Sequence, residues 1–565
     1  MNQQHKDITT KVISLIRQQL QAEKSGAAAV LKRQSYSERF IYRSCRWINF
    51  GCAVIISSLA VLIMVGLAEA TTADHSKFET LKKKFVSGPE VTRACISCHT
   101  EAPKQIHNTI HWRWLCPKET AKDLGKSSVV NNFCIAFPSN EPRCTSCHIG
   151  YGWQDTTFDF SSEENIDCLI CHDKTGEYEK FPTDAGHPAY VKKRFGGRTY
   201  YPPDLTKIAQ NVGKPTRRNC GVCHFYSGGG DGYKHACLSS ILFNPSRDDD
   251  VHMDAQGLNF SCQECHTTVN HQIAGRCYEV PAKEERQFKF PLKDDERIYC
   301  ESCHGNAPHN DNDYLNEHVE KIACQTCHIP YAARGKATKV WQDWSKAGIL
   351  DDKGSVIVKR DDDGNIVYSS LNGDARWQKD YLPEYFWFNG SASHALLTDR
   401  IETGNPVQIN SLKGNYCDPN ARIFPAKVHR GKQPFDPVNK SLLLPKLFGL
   451  KNSGAFWSDF DSERSIEAGM AYAGLEYSGE IEYIETEMYL PINHMVVPKE
   501  KALSCVDCHN KNDRMLNFTD YYMPGRDPVF RLNWFWITVI ALFLAAIVKS
   551  GRDYYSKRKV VTKQR

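Results

Sequence analysis

The stretch that decides the fold is CGVCHFYSGGGDGYKH, residues 220–235. It begins with a Cys-x-x-Cys-His motif, continues through three glycines and ends with the pair Lys234 and His235. In such a motif two thiols form thioethers with a porphyrin and the following His binds its iron, which is the attachment signature of c-type haem. The pair that follows supplies two more nitrogen donors, so the stretch poses the question of which one binds metal.

The motif occurs eight times in the 565 residues, against a chance expectation of roughly 0.04 copies. A single Cys-x-x-Cys is also typical of a zinc knuckle or a redox disulfide, but eight copies, each followed by His, indicate eight covalently attached c-type haems with their irons. We number the attachment sites 1 to 8 in chain order. Their residues are Cys95, Cys98 and His99; Cys144, Cys147 and His148; Cys168, Cys171 and His172; Cys220, Cys223 and His224; Cys262, Cys265 and His266; Cys300, Cys303 and His304; Cys324, Cys327 and His328; and Cys505, Cys508 and His509.

Positive charge is concentrated at the two ends of the chain. Residues 1–48 contain nine Lys or Arg and three acidic residues, and residues 549–565 contain seven and one. Each end is therefore +6, and the whole-chain charge of +5 leaves −7 for the part between them. Because the basic residues lie in the tails, the composition does not indicate nucleic-acid binding.

Two apolar runs predict membrane segments. Residues 49–67 carry no charge and approach the length of about 20 residues that a spanning helix needs. They favour an uncleaved anchor over 49–70, although AEA at 68–70 resembles a signal-peptidase site. A second run predicts a transmembrane helix over 532–549. The positive-inside rule then places the tails 1–48 and 550–565 in the cytoplasm. The haem domain, 71–531, faces the periplasm from the inner membrane of a bacterium.

The segment 71–531 has 461 residues for eight haems, which is little protein to build an ordinary core. We therefore expect a mainly α fold with extensive loops, wrapped around eight stacked haems. The haem-free interval 329–504 contains the hairpin pattern SVIVKRDDDGNIVYSS at 355–370, with an Asp-Gly turn. We interpret this interval as an insertion with a small β-hairpin, packed on the haem core, that supplies it with iron ligands such as His429 and His494.

Twelve His lie outside the motifs in this segment, so each of the eight irons can receive a second imidazole. A haem iron bound by two imidazoles is suited to electron transfer, because no coordination position is left for substrate. The second ligands are expected among His111, His235, His252, His271, His309, His318, His429 and His494.

Several long strings resemble one family, the octahaem tetrathionate reductases, which are related to the hydroxylamine oxidoreductases. The resemblance covers roughly residues 85–515. Besides the opening stretch it includes NNFCIA (131–136), EPRCTSCHIGYGW (141–153), GLNFSCQECHTTVNHQIAGR (257–276), ACQTCHIP (323–330), VHRGKQPFDPVN (428–439) and INHMVVPKEKALSCVDCH (492–509).

This resemblance implies that site 2 differs from the other seven, which carry two imidazoles each. Its iron, bound by His148, would take the nitrogen of Lys234, and Cys134 would be an active-site thiol. A lysine must be neutral to bind metal, and burial beside a cationic iron lowers its pKa. Neighbours on a helical turn point about 100° apart, so Lys234 and His235 can reach different irons. The alternatives are that Lys234 pairs with a haem propionate and that Cys134 forms a disulfide.

The chain departs from the family pattern at four cysteines, Cys116, Cys237, Cys277 and Cys417. They are interpreted either as two extra disulfides, as expected in an oxidising compartment, or, for Cys237, as a change in the active site. A basic run at 191–219 contains eight Lys or Arg and one Asp. It either attracts anions toward the haems or forms a solvated face that balances the propionates.

The expected function is a multihaem oxidoreductase that reduces a small sulfur or nitrogen oxyanion, with Lys234, Cys134 and His148 as catalytic residues. Tetrathionate reduced to thiosulfate is the leading reaction, and nitrite or hydroxylamine are the other substrates. The main alternative is an electron conduit, and in either case the expected donor is a quinol-oxidising b-type cytochrome of the membrane. Oxidation of hydroxylamine is disfavoured, because only about twenty residues separate His509 from the second apolar run.

Overall fold

The computed structural model describes residues 73–115, 124–275, 298–310, 312–511, 514–528 and 534–561. The predicted tail 1–48 and the apolar segment 49–70 lie outside these residues, as do Cys116 and Cys277. From Asp74 onward the described residues belong to a single unit, Asp74–Arg565.

Most helices are short, and several coincide with the motifs. They are α1 (Gly88–Ile96), α2 (Ala102–His107), α3 (Ile110–Arg113), α4 (Glu141–Cys144), α5 (Cys168–His172), α6 (Leu205–Gln210), α7 (Arg217–His224), α8 (Cys300–His304), α9 (Asp313–His318), α10 (Cys324–His328), α11 (Phe456–Asp459), α12 (Ser462–Ala473), α13 (Cys505–Cys508) and α14 (Trp534–Val561). Single 3₁₀ turns lie at His75–Lys77, Glu79–Leu81, Thr145–Cys147, Ser240–Phe243, Cys262–Glu264, Trp344–Lys346 and Lys499–Lys501.

Fifteen strands are present in the described residues, most of them in the interval between sites 7 and 8. They are β1 (Lys193–Phe195), β2 (Arg198–Tyr200), β3 (Thr268–Val269), β4 (Gln272–Ile273), β5 (Thr338–Asp343), β6 (Val358–Arg360), β7 (Ile366–Ser369), β8 (Gly373–Gln378), β9 (Glu384–Phe388), β10 (Ala392–His394), β11 (Val407–Gln408), β12 (Asn410–Leu412), β13 (Arg422–Asp436), β14 (Ser441–Leu442) and β15 (Glu482–Pro491).

Nine of these strands form one sheet in the order β11-β15-β13-β5-β8-β7-β6, with β9 and β14 also paired to β13. Its centre is the 15-residue strand β13, which runs antiparallel to β15 from the pair Ala426 and Pro491 to the pair Phe435 and Glu482. β13 also runs parallel to β5. Long-range partners on both sides make β13 the most constrained strand of the sheet.

The prediction of a mainly α fold with a small hairpin insertion is wrong. The structure contains 27% helix and 19% strand, with a nine-stranded sheet. The expected hairpin is present as β6 and β7, but it forms only the outer edge of this sheet. The central pairings of β13 with β15, β5 and β9, and of β11 with β15, join segments far apart in sequence, so local turn signals did not reveal them.

The predicted C-terminal transmembrane helix is also not supported. None of the helices in the described part of the chain is long and apolar enough to cross a membrane. Helix α14 starts with an apolar run of 15 residues and then reaches Lys549, Arg552 and Asp553. At 1.5 Å per residue such a run covers about 22 Å, less than the roughly 30 Å of a bilayer core.

The largest apolar core lies between the sheet and the loop that carries Cys134. Phe133 and Ile135 of this loop belong to one buried cluster with Leu443, Met470 and Leu490. The sheet is therefore an integral part of the haem domain, because its buried side chains pack directly against the loop 131–136.

We expect Leu443→Ala to lower the free energy of unfolding by about 2–5 kcal/mol, since truncation of a buried Leu loses apolar contact and leaves a cavity. Leu443 is 0% exposed, whereas the control Leu450 is 83% exposed. Denaturant titration of both haem-loaded variants checks this. Equal effects of Leu443→Ala and Leu450→Ala would contradict the assigned core.

Candidate functional site

Most motifs are built on a short helical turn. Helices α5, α8 and α10 each begin at the first Cys and end at the His of a motif. Because residues three and four apart lie on one face of a helix, both thiols and the imidazole of such a motif face the same side. A single flat porphyrin can therefore contact all three side chains.

Seven of the eight motif imidazoles have a second imidazole opposite them. The centroid distances are 6.2 Å for His99 and His75, 6.3 Å for His172 and His271, 6.2 Å for His224 and His111, 6.3 Å for His266 and His494, 6.1 Å for His304 and His252, 6.3 Å for His328 and His309, and 6.0 Å for His509 and His318.

This separation is too wide for direct ring stacking and fits an iron between the rings. With metal–nitrogen bonds of about 2.0 Å and a ring radius of roughly 1.1 Å, two imidazoles on opposite sides of one metal have centroids about 6.2 Å apart. The seven pairs therefore fit a six-coordinate haem iron.

The outer nitrogens of these imidazoles are also arranged as in metal ligands. Nδ1 of His172, His266 and His509 lies 2.9 Å from the backbone oxygen of Gly213, Ala274 and Pro524 respectively. Hydrogen bonds of this kind fix the tautomer and the orientation of a ligand ring, and they leave Nε2 for the metal.

Contacts between motif cysteines show which attachment sites are neighbours. The thiols of sites 1 and 3 meet at Cys95 and Cys168, those of sites 2 and 4 at Cys147 and Cys223, those of sites 4 and 5 at Cys220 and Cys262, and those of sites 6 and 7 at Cys300 and Cys324. Weaker electrostatic contacts join sites 3 and 4 (Cys171, Cys220), 5 and 6 (Cys265, Cys303) and 7 and 8 (Cys327, Cys508). The order is thus 1-3-4-5-6-7-8, and site 2 branches from site 4.

Site 2 differs from the others. Its His148 is 1% exposed and is surrounded by aromatic rings, with Trp153 at 4.9 Å and Trp112 at 5.1 Å between centroids. Nε2 of His148 lies 2.7 Å from the backbone oxygen of Trp112, while Nδ1 is buried with no hydrogen-bond partner. Among the ring contacts of the described residues, no second imidazole stands opposite His148 at the separation of about 6.2 Å seen in the other sites.

The backbone of site 2 is tied to that of site 3. Lys180 donates from Nζ to the carbonyl oxygen of His148 and forms an ion pair of 3.0 Å with Asp167. Asp167 in turn accepts a hydrogen bond from the backbone N–H of Ile170 at the start of α5. The two attachment sites are therefore held at a fixed distance by a buried ion pair.

Cys134 sits on a tight loop beside site 2. Asn131 Oδ1 accepts hydrogen bonds of 2.9 Å from the backbone N–H groups of Phe133 and Cys134. Ile135 adopts a left-handed φ of 62°. The side chain of Asn132 donates to the backbone oxygen of His429 on β13 at 2.8 Å. The sheet thus fixes the loop, and Cys134 is an electrostatic neighbour of Cys144.

Lys234, from the segment after site 4, is also an electrostatic neighbour of Cys134. Gly228, with φ of 80°, allows close approach, because a Cβ on this residue would lie 3.0 Å from Phe133 and 3.1 Å from the Lys234 side chain. The segment 231–237 is a series of turns and not a helix, so the helical spacing expected for Lys234 and His235 does not apply.

Four cations surround the Cys134 thiol. Burial raises the pKa of Cys134 above its usual value, and nearby cations act in the opposite direction. In order of their effect they are Arg143, Lys339, Lys126 and Lys234. Lys126 is also an electrostatic neighbour of His148 and Cys144, so these groups share one region.

Three lysines of this region lack carboxylate partners, of which Lys339 and Lys427 are buried and Lys234 is half-buried. Burial lowers the pKa of Lys234 to about 8 and that of Lys339 to about 8. Lys427 is 0% exposed, and burial lowers its pKa well below the usual value. No Asp or Glu contributes to any of these three shifts. The region can therefore stabilise a bound anion.

Comparison with known proteins identifies the family. The bacterial cytochrome c family model matches residues 339–512. The octaheme cytochrome c from Shewanella oneidensis is 42% identical in sequence, with a TM-score of 0.69 over 78% of this chain and 95% of that chain. The chain belongs to the octahaem cytochrome c family. It is also similar to an uncharacterised protein of Archaeoglobus fulgidus, with 25% identity over 280 residues, 41% of this chain and 93% of that protein.

Membership confirms the family expected from the sequence strings and confirms that this cytochrome carries covalently bound c-type haems with iron. It also fits a periplasmic haem domain. Transfer of electrons between haems is therefore part of its activity. The family model covers the interval that forms the sheet, so the sheet belongs to the family fold.

The structure separates the predicted second ligands into two groups. Those placed opposite a motif imidazole are His111, His252, His271, His309, His318 and His494. His235 is half-buried and His429 is buried, and among the ring contacts of the described residues neither faces a motif imidazole. Both nitrogens of His429 lack hydrogen-bond partners, and its ring lies 4.4 Å from that of Phe133.

Four residues near the haem sites were not predicted as site residues from the sequence. His75, opposite His99, precedes the first motif by 20 residues without any local signal. Lys126, Arg143 and Lys339 approach Cys134 from separate segments. Cys134, Cys237 and Cys417 are free thiols.

The basic run at 191–219 is partly neutralised by a nearby acidic segment. Lys193 pairs with Asp184, Arg198 with Glu179 at 2.8 Å, and Lys207 with Glu177 at 2.5 Å. These contacts favour the interpretation of this run as a solvated, balanced face.

Replacement of His75 by Ala is expected to leave the iron of site 1 with one imidazole, because His75 stands opposite His99. Electron paramagnetic resonance of the oxidised protein should then show one high-spin haem beside an unchanged set of low-spin signals. His107→Ala is the matched control, since the ring of His107 contacts Trp112 and, in the part of the chain that the structure describes, stacks on no motif imidazole. Identical spectra for both variants would refute the pairing.

Proposed function

We propose that this octahaem cytochrome reduces a small sulfur or nitrogen oxyanion at site 2, with tetrathionate as the leading substrate. One observation carries the proposal. His148 is the motif imidazole without a second imidazole opposite it in the described residues. The half-buried Cys134 is an electrostatic neighbour of its attachment residue Cys144, and the half-buried Lys234 is in turn a neighbour of Cys134.

In this proposal the seven paired sites form the electron path. Each iron bound by two imidazoles is saturated and passes electrons without binding substrate. The contact order 1-3-4-5-6-7-8 leads past site 4, where site 2 branches off. This arrangement supports a catalytic end point beside a through-going chain.

Lys234 would be the second ligand at site 2. With its pKa lowered to about 8, roughly a tenth of the amine is neutral at pH 7, and only this neutral form binds metal. The backbone oxygen of Lys234 accepts a hydrogen bond of 2.9 Å from Lys427, which fixes the segment from which the side chain extends.

Cys134 would act as the nucleophile. Its thiolate attacks one of the two central sulfur atoms of tetrathionate, the S–S bond between them breaks, and one thiosulfate dianion leaves. Cys134 then carries an S-sulfonated disulfide, Cys134–S–S–SO₃⁻. Two electrons, which the haems supply when bound, cleave this adduct into the thiolate and a second thiosulfate. Atoms and charge balance, and no proton is consumed.

The cations around Cys134, of which Lys339 is buried, Arg143 half-buried and Lys126 exposed, support an anionic substrate. Coulomb attraction is stronger in a low-dielectric region than in water. Arg143, Lys126 and Lys339, whose pKa burial lowers only to about 8, can offer positive charge to a ligand beside Cys134. Binding of an anion also compensates part of the desolvation cost of these side chains.

Electrons would enter from a redox partner at an exposed end of the path. Cys98 and His99 of site 1 are exposed, and Val506 of site 8 is 71% exposed. A quinol-oxidising b-type cytochrome is the proposed donor, as its chemistry releases single electrons at a haem.

We expect Lys234→Met to change turnover by at least tenfold and to alter the spectrum of one haem in eight, because the proposed second ligand of site 2 is replaced. Turnover is measured with tetrathionate, nitrite and hydroxylamine, and Lys353→Met in an exposed turn is the control. Unaltered kinetics with all three substrates would leave only the electron-conduit function.

Cys134→Ser tests the covalent step separately. Because an alcohol is a much weaker nucleophile than a thiol, tetrathionate reduction should fall by about 100-fold or more, while reduction of nitrite should persist. Cys417→Ser, which changes an exposed thiol, is the matched control. Equal losses with both substrates would assign Cys134 a structural role.

A further inference from the structure

Cys237 is a buried thiol that the proposed reaction does not use. It is 2% exposed and packs in an apolar cluster with Phe225, Leu242 and Ile492. Its sulfur lies 3.6 Å from Nδ1 of His494, and the backbone N–H groups of Asn493 and His494 also donate to it. The thiol therefore touches both the ring and the backbone of this histidine.

His494 stands opposite His266 of site 5, with 6.3 Å between ring centroids. The two imidazoles of this site have unlike neighbours at Nδ1. His266 faces the backbone oxygen of Ala274 at 2.9 Å, whereas His494 faces sulfur at 3.6 Å. Oxygen is also the neighbour of Nδ1 in His172 and His509, at 2.9 Å in each case.

The difference matters because the group that accepts the Nδ1–H bond tunes the metal. A strong acceptor makes the imidazole a more basic ligand, which favours ferric over ferrous iron and lowers the reduction potential. Sulfur is a weak acceptor, and its contact with Nδ1 is longer. The imidazole of His494 consequently donates less electron density than one facing oxygen.

We propose that Cys237 is a positioning residue that keeps the reduction potential of site 5 higher than an oxygen acceptor at this position would. The proposal rests on the pairing of His266 with His494 and not on the identity of any substrate. Site 5 joins sites 6 to 8 to site 4, the neighbour of site 2. A raised reduction potential at site 5 favours an electron residing on that haem. From there the electron reaches site 2 in two transfers, by way of site 4.

Cys237→Ser and Cys237→Val test this in the full-length, haem-loaded protein. Ser supplies an oxygen acceptor, whereas Val fills a similar volume and accepts no hydrogen bond. Redox titration followed by electron paramagnetic resonance should show one haem whose potential falls in Cys237→Ser and rises in Cys237→Val. The other seven potentials should not move, and Cys417→Ser should shift none.

The assignment of the moving signal uses His494→Met, which should remove that same low-spin signal. Unchanged potentials in Cys237→Ser, or a shift in the same direction in both variants, would overturn the proposal. If Cys237→Val does not accumulate with haem, the Ser variant alone decides. Loss of site 2 activity in Lys234→Met is a separate result, so failure of either proposal leaves the other intact.

Discussion

The structure depends on pairs of imidazoles whose ring centroids lie about 6 Å apart. This separation leaves room for one metal ion bound by both rings. Each motif imidazole lies on the same short turn as the two cysteines of its motif. The imidazole opposite it comes from a separate segment, as His494 does for His266. The chain must bring seven such partners into register. This requirement explains why most helices last only one or two turns, such as α5 with Asp167 as its N-cap, and why loops make up much of the fold.

The sheet supplies a rigidity that these turns lack. β13 lies between β15 and β5 and contacts both segments that flank site 2. Its residue Lys427 donates to the backbone oxygens of Tyr233 and Lys234 at 2.8 and 2.9 Å. The backbone oxygen of His429 accepts a hydrogen bond from the side chain of Asn132 in the Cys134 loop. A buried lysine costs free energy, and here it joins loops from distant parts of the sequence through hydrogen bonds.

Sequence reasoning succeeded where chemistry is local and failed where it is not. A Cys-x-x-Cys-His motif contains its own attachment groups, so all eight sites were evident. His75 and His235 look alike in sequence, yet only His75 faces a motif imidazole among the described ring contacts. The sheet escaped detection because β13 contains Pro425 and Pro434 and pairs with strands far away in the chain. Lys339, which acts on Cys134, lies on β5, so its position beside the thiol depends on non-local strand pairing.

The segment from Lys234 to Cys237 lies between site 2 and site 5. Lys234 approaches the region of Cys134 and site 2, whereas Cys237, three residues later, touches the proposed ligand of site 5. Lys427 and Thr338 hold the backbone before these residues, with Thr338 donating to Gly232 at 2.8 Å. A displacement of this short segment would disturb the proposed second ligand of site 2 and the neighbour of the proposed second ligand of site 5 together. The hydrogen bonds from β13 and β5 therefore hold both positions in place at one point of the fold.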